Sequence, residues 1–488
     1  MAEQDEVIHF LAARAETRLE THISLIFLAG ETAYKLKRAV RFSYLDYSTL
    51  ALRRHFCEAE LALNRRTAPC LYRDVRAITR AKGGGLEWDG PGKAVEYVLE
   101  MQRFPQAALL DEMAKVGTLT ADKIRALADE IAAFHVKADR VPGDAAGLGR
   151  VIEGNAANLL AACPPLPPQD VAMVNAATRA AYARHAALLD ARGRAGHIRR
   201  CHGDLHLGNI LWLQGRPVLF DCIEFSEDFA CIDVLYDLAF LLMDLCRRGF
   251  AAFAAQLANR YFDRVDEEDG LALLPFFMSI RAAVRAHVLA AQKRNDEAGS
   301  CLALAAAALR PATPCLMAIG GRSGTGKSTL AAALAGYFAP MPGARVLRSD
   351  VLRKRLCGVA AETKLPADSY TKEMSARVYA AVFAAARAGL AAGMSVILDA
   401  AFLNGFEREA AEALAMQAGV AFHGVWLEAP EELLAARLQA RRGDASDADP
   451  AVMRRQRNMI TGAMTWRRLD AATPVAAQIS ALTPIPHQ

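Results

Sequence analysis

Hydrophobic and polar positions change their period several times along the chain. Ser24-Leu25-Ile26-Phe27-Leu28-Ala29 is a short apolar run, interrupted by Gly30-Glu31 and resumed by Ala33-Tyr34-Lys35-Leu36-Lys37. Two such runs around a glycine turn predict a strand hairpin. Before it, residues 1 to about 20 predict a short helical lead. Thr49 to Arg66 and Thr120 to His135 place apolar residues at helical intervals, and Ala94 to Met101 alternates like a strand. Gly83-Gly84-Gly85 predicts a hairpin turn, and Cys163-Pro164-Pro165-Leu166-Pro167-Pro168 a stiff loop between helices. After the short apolar run Pro217–Phe220 the pattern is helical through Ala308, with a polar break at Asp296 to Ser300, until Pro311-Ala312-Thr313-Pro314 interrupts it. From there strands and helices alternate. Cys315–Ile319, Ala344–Leu347, Met394–Leu398 and Phe422–Leu427 are the strands, a helix starts at Pro430, and an extended tail begins at Thr473. This order predicts an α+β bilobal domain over residues 1–310, with an N-lobe at about 20–101 and a C-lobe at about 105–310. An α/β domain with a mainly parallel sheet follows over 314–488.

Composition narrows the picture without redirecting it. A chain of 488 residues predicts two or more domains, and 53% hydrophobic residues supply their cores. A formal charge of +4 gives no strong argument for a nucleic-acid partner. The ten cysteines show no C-x-x-C pair, so neither a zinc site nor a disulfide framework is expected. The acidic start, Met1-Ala2-Glu3-Gln4-Asp5-Glu6, is not a secretory signal, and the apolar stretch Leu235–Leu245 is broken by Asp237 and Asp244. The expectation is a cytoplasmic protein with no membrane partner.

Candidate chemistry concentrates in His202-Gly203-Asp204-Leu205-His206-Leu207-Gly208-Asn209, followed by the short strand Pro217–Phe220 and Asp221. Kinase-type phosphoryl transfer needs a carboxylate at the acceptor hydroxyl, an amide on one Mg2+ and a second carboxylate holding metal against the β- and γ-phosphates. The spacing D-x-x-x-x-N supplies the first two as Asp204 and Asn209. Asp221 is the third. A strand lysine paired with a helix glutamate completes such a site, and Lys35 and Lys37 fall on one face of their strand. Glu58 and Glu60 are the candidate partners, with Glu60 preferred. His135 is expected to pack or cap. Asp233 and Asp237, four apart on one helix face, are expected to pair with arginines.

His-Gly-Asp in place of His-Arg-Asp resembles the aminoglycoside phosphotransferase and choline kinase branch of the kinase-like fold, over roughly residues 20 to 300. That resemblance implies phosphorylation of a small molecule. It favours Lys37 as the phosphate lysine, from the branch's Tyr-x-Leu-Lys/Arg strand, with Lys35 as the alternative. It also places the adenine-binding hinge at Met101. The chain departs from the branch at Asp221-Cys222-Ile223-Glu224, one residue longer than Asp-Trp/Phe-Glu, which weakens Glu224 as a metal or substrate ligand. No glycine-rich loop precedes the lysines.

A second centre follows the linker. Gly321-Arg322-Ser323-Gly324-Thr325-Gly326-Lys327-Ser328-Thr329 fits G-x-x-x-x-G-K-[ST] between a strand and a helix. The glycines allow backbone N–H groups to curl round phosphate, Lys327 neutralises it and Ser328 reaches Mg2+. Asp350 ends the next strand, where a substrate crevice opens in such sheets, and is the candidate base. Arg353 is the candidate acceptor clamp, and Asp399 a Mg2+ ligand through water. Arg437 and Arg442, flanking or within Arg441–Asp447, are candidate lid residues. The layout resembles zeta-toxin, polynucleotide kinase and gluconate kinase-type P-loop kinases over about 315 to 470. Together the halves resemble a bacterial family that fuses an aminoglycoside phosphotransferase-like domain to a P-loop kinase domain.

The resulting expectation is a bifunctional ATP- and Mg2+-dependent kinase acting on hydroxyls of small molecules, with sugars, amino sugars or alcohols foremost. Two alternatives stand beside it. One is a nucleotide-gated regulatory or scaffold protein. The other has the C-terminal domain act on a nucleotide-sugar or a polynucleotide end.

Overall fold

The hairpin predicted around Gly30 is the centre of a six-stranded antiparallel sheet. Its strand order is Thr17–Glu20, Ser24–Ala29, Thr32–Lys37, Ala94–Gln102, Tyr72–Arg80, Leu86–Trp88. Alternation divides each strand between two cores. Leu25, Phe27, Leu36, Ile78 and Val98 pack on one face with Val7 and Leu11 of the helix Ala2–Ala12. Ala33, Tyr72, Leu99 and Met101 pack on the other with Leu211, Val218 and Phe220. Lys35 and Lys37 share the face of Ala33. The lead predicted as wholly helical ends at Ala12, and Thr17–Glu20 joins the sheet as an edge strand.

In this computed structural model residues 2–42, 45–440, 445–456 and 459–482 are described. Contacts divide the chain into Met1–Gly154 with Ala186–Leu241, and Asn155–His185 with Leu242–Gln488. In the first unit the helix Leu50–Asn64 starts at Thr49, whose hydroxyl accepts from the Leu52 amide. Cys57, Glu60 and Asn64, three and four apart, form its buried face. The short hairpin Ile210–Leu213/Arg216–Leu219 pairs Ile210 with Leu219, so Asn209 and Phe220-Asp221 lie side by side at its open end.

The second unit contains five parallel strands in the order Arg345–Arg348, Val396–Asp399, Cys315–Gly321, Ala421–Glu428, Arg467–Asp470. Two apolar layers cover its faces. The helix Ala251–Arg264, assigned from sequence to the C-lobe, shares one of them through Ala255. Arg345 is buried and pairs with Asp263 at 2.9 Å and Glu268 at 2.8 Å. Asn259 accepts from the Val346 amide and donates to the Ala344 carbonyl, closing the edge of the sheet with polar partners.

Two local expectations are corrected. Asp296–Ser300 is helical within Asn295–Ala308, because its polar residues lie in an acidic first turn that suits a helix N-terminus. The tail predicted as extended forms a helix over Val475–Leu482, whose Val475, Ile479 and Leu482 pack on the sheet's core. Among the described residues, Glu268–Ala291 is the one helical stretch long and apolar enough to cross a membrane, and 67% of its most apolar window is buried within the protein.

Candidate active sites

The loop His202–Asn209 is held at several atoms. His202 donates its Nε2–H to the Phe220 carbonyl at 2.9 Å, and the Ile223 amide returns a bond to the His202 carbonyl at 2.9 Å. Gly203 has φ +84, and a Cβ there would lie 2.8 Å from the Phe229 carbonyl oxygen, so glycine is required. Asp237 accepts the His202 and Gly203 amides at 3.1 and 2.9 Å, and His135 meets its other side at 3.1 Å. Asp237 thus clamps the backbone of the loop, because the helix start at Val234 sets this carboxylate against it. Asp233 does pair with an arginine, through two bonds to Arg192.

Asp204 and Asn209 are brought together. The Asn209 amide donates to the Asp204 carboxylate at 2.9 Å and to its carbonyl at 3.0 Å. The Phe220 amide donates to the Asn209 carbonyl at 3.1 Å, which puts Asp221 beside the same loop. Asp221 is a non-glycine residue at φ +65, a sparsely populated conformation, and its amide is held by the Tyr72 hydroxyl at 3.1 Å. The carboxylates of Asp204 and Asp221 are 38% and 41% exposed, so both are open to a ligand.

The two lysines divide Glu60 between them. Lys35 Nζ lies 2.7 Å from one carboxylate oxygen and Lys37 Nζ 2.6 Å from the other, which selects Glu60 over Glu58; Glu58 pairs with Arg54 on the surface. Lys35 also donates to the Asp221 carboxylate, at 2.6 Å. Lys37 instead turns to Glu224 and to the Tyr47 hydroxyl. The Lys37 side chain is 2% exposed and enclosed by acids and a phenol, whereas Lys35, the alternative phosphate lysine, faces Asp221. Burial pushes the Glu60 carboxyl up, but the two ammonium groups win and hold it down at about 2. Burial pulls the Lys35 ammonium down, and Asp221 and Glu60 more than restore it, raising it well above the ordinary lysine range. Met101 lies inside the sheet, in register with Ala33 and Tyr72, and the next two amides are bonded as well, Gln102 to the Leu71 carbonyl at 2.7 Å and Arg103 to the Glu31 carbonyl at 2.9 Å.

In the P-loop, Gly321 ends its strand, and Gly324 and Gly326 adopt φ +88 and +87. A Cβ on Gly324 would meet the Leu434 carbonyl oxygen at 2.9 Å. Thr325 is buried and donates to the Arg322 carbonyl at 2.8 Å, whereas Thr329 is exposed. Lys327 caps the loop from within, donating to the carbonyls of Gly321 at 2.9 Å and Arg322 at 3.1 Å. Ser328 donates to the Asp399 carboxylate at 2.6 Å, and Arg348 approaches the same oxygen at 3.4 Å. Asp350 is half-buried, bonded to Ser446, with Arg348, Asp399 and Lys327 as its charged neighbours. Burial raises its carboxyl above the ordinary range despite that bond.

Two of the three substrate-side candidates, Arg353 and Arg437, fall within the described residues. Arg353 is buried, donates to the Ser369 carbonyl at 2.9 Å and stacks over Tyr370 at 4.7 Å, so it braces the chain ahead of the next helix instead of presenting a clamp. Arg437 donates to the Ala471 carbonyl at 2.9 Å and stands 4.0 Å from the position of a Cβ on Gly326. Arg442 lies outside the described residues. Sequence reading missed two contributors. Gln456 accepts the Ser323 amide of the P-loop at 2.8 Å. Asp447 takes the Lys354 ammonium, the Tyr370 hydroxyl and the Leu365 amide. No local pattern marks either residue, because each acts on a segment distant in sequence.

A lysine–glutamate–aspartate cluster beside an Asp-x-x-x-x-Asn loop, and a phosphate-binding loop feeding a serine–aspartate pair, define a phosphotransferase of the kinase type. Residues 48–274 match the phosphotransferase enzyme family and 316–462 an AAA domain. The chain belongs to the two-domain family that joins these domains. Over 475 residues it is 30% identical to an uncharacterized protein of Mycobacterium tuberculosis and to one of Mycobacterium bovis, covering 93% of this chain and 92% of theirs. Among solved structures, a choline/ethanolamine kinase family protein from Mesorhizobium loti is 18% identical, covering 63% of this chain and 99% of its own, with a TM-score of 0.38. A sugar kinase from Janibacter sp. is 18% identical, covering 34% and 91%, with a TM-score of 0.27.

Proposed function

We propose that the chain carries two ATP-dependent kinase sites, each transferring the γ-phosphoryl group to a hydroxyl of a small molecule such as a sugar, amino sugar or alcohol. The observation that carries the first site is the three-way junction of Lys35 with Glu60 and Asp221 beside the Asp204–Asn209 pair. Lys35, fixed by Glu60, binds the α- and β-phosphates. Asp204 accepts the acceptor hydroxyl's proton. The amide and carboxylate oxygens of Asn209 and Asp221 suit a hard cation, and these residues would hold Mg2+. Bound there, Mg2+ supplies charge neutralisation on the transferring group. The chain around Met101, where the resemblance to the kinase-like branch puts the hinge, receives adenine.

At the second site the P-loop amides and Lys327 bind the β- and γ-phosphates, and Ser328 with Asp399 offers the oxygen pair for Mg2+. Asp350 is the base, and Arg437 stands beside the loop to meet phosphoryl charge. The small net charge of +4 supports small-molecule acceptors over nucleic acid, and nothing in this mechanism calls for a membrane. The test is ATP consumption and mass-detected phosphate addition across sugars, amino sugars, aminoglycosides, nucleosides and sugar acids, with wild type, Asp204→Ala and Lys327→Ala compared. An acceptor lost in one variant and kept in the other assigns a substrate to a site. Clear ATP binding with no acceptor phosphorylated would favour the regulatory alternative.

A further inference from the structure

A kinase-type site needs one strand lysine, and this strand carries two on one face. Lys37 is 1% exposed and has three partners: Glu60 Oε2 at 2.6 Å, the Glu224 carboxylate, and the Tyr47 hydroxyl at 3.3 Å. Tyr47 is itself fully buried and donates to the same Glu224 oxygen at 2.5 Å. A buried ammonium is tolerated only when carboxylates and hydrogen bonds surround it. Such a group is not available to a nucleotide, so its role lies in what it joins.

What it joins is the segment that begins with Asp221. That residue sits at φ +65 and needs its neighbours to keep it there. Each of the next positions is tied to a different element. The Asp221 amide goes to Tyr72, the Cys222 amide to Asn64 at 2.8 Å, the Ile223 amide to His202, and the Glu224 side chain to Lys37 and Tyr47. The Glu224 bond returns the segment to the lysine strand a second time, beyond the Lys35–Asp221 pair. Through Glu60 the same ammonium reaches the helix that holds Lys35. With all groups ionised, two lysines face Glu60, Glu224 and Asp221. Without Lys37, one ammonium would face three carboxylates, and Glu60 and Glu224 would compete with Asp221 for Lys35.

We infer that the buried Lys37–Glu224 pair, braced by Tyr47, is a positioning latch that sets the Asp221 carboxylate relative to Lys35, so that Mg2+-dependent nucleotide binding at the first site depends on a residue touching neither metal nor phosphate. The extra residue in Asp221-Cys222-Ile223-Glu224 then has a purpose: it delivers the glutamate to the lysine instead of to the metal. This inference rests on reading the first site as a Mg–ATP site.

The test uses the full chain with Lys327→Ala disabling the second site, and a fluorescent ATP analogue titrated with and without MgCl2. Lys37→Met is expected to raise the MgCl2 midpoint about tenfold or more while leaving metal-free affinity within about threefold. Lys37→Met/Glu224→Gln removes opposite charges together and is expected to recover part of that loss, and it also reports if the single variant fails to fold. A Lys37→Met protein that titrates like its parent while Lys35→Met and Asp221→Ala are impaired would overturn the latch and leave the site reading standing. Loss of metal-free binding in Lys37→Met but not in Lys35→Met would overturn it too, by making Lys37 the phosphate ligand. If Lys35→Met and Asp221→Ala both titrate like the parent, the Mg–ATP reading itself falls.

Discussion

Lys35 Nζ and Asp221 Oδ1, 186 residues apart in the chain, meet at 2.6 Å in the first unit. The bond joins the lysine strand to the residue after the hairpin, and Glu60 holds the same ammonium from the helix side. A charge placed there before substrate arrives costs no reorganisation during transfer. Lys35→Met is expected to lower first-site turnover about a hundredfold or more. Turnover is read as phosphate transfer in a Lys327→Ala background, and a loss below about threefold would remove Lys35 from the phosphate site.

Asp237 is fully buried and spends its oxygens on two loop amides and His135. Asp237→Asn turns one acceptor into a donor facing a donor. The expected cost is about 2–4 kcal/mol of stability in the first unit, with first-site turnover falling as the His202–Asn209 loop loosens. Thermal melting and turnover check this together. Nucleotide binding at the P-loop should persist.

The second site should show an acid limb. Asp350 is a base only when ionised, and burial raises its carboxyl above the usual 3.8. As pH falls through that raised value the base is lost, so kcat should drop at a higher pH than an exposed aspartate would give. Arg348 holds the carboxyl down, so Arg348→Met should move the limb higher still. The stability sign is the reverse of a salt-bridged acid: the contribution is full below the unfolded value and is lost as pH rises through the folded one. A limb unchanged by Arg348→Met would remove Arg348 from the base's surroundings.

Gly336 marks where the helix Ala251–Arg264 meets the P-loop helix. A Cβ there would lie 2.7 Å from the Ala252 amide nitrogen. Gly336→Val should destabilise the second unit by about 1–3 kcal/mol through overpacking. A fragment starting at residue 314 forfeits the Ala255 contact and the Arg345 partners Asp263 and Glu268. It should melt below the corresponding transition of the full chain. Identical melting would mean that these helices add nothing to the P-loop fold.

What the sequence made legible was local. The P-loop, the Asp204–Asn209 spacing, the strand hairpin and the parallel sheet are written in adjacent residues and fixed periods. Alternation placed Lys35 and Lys37 on one face but carried no information on which meets Asp221. That depends on Glu224, which occupies Lys37 from 187 positions away. Arg353 was correctly placed on a helix after the strand, yet its burial is set by Ser369 and Tyr370. The clamp that Asp237 forms on two bare loop amides was not legible, because a four-residue helix spacing does not show which loop lies beside it.

Two ATP sites in one chain are counted by the stoichiometry of ATP binding with Mg2+, measured by calorimetry. Wild type should bind two ATP per chain. Lys35→Met/Asp221→Ala and Lys327→Ala should each bind one, and their combination none. A single ATP per wild-type chain would rule out a second nucleotide site, and two retained in either variant would remove the substituted residues from ATP binding.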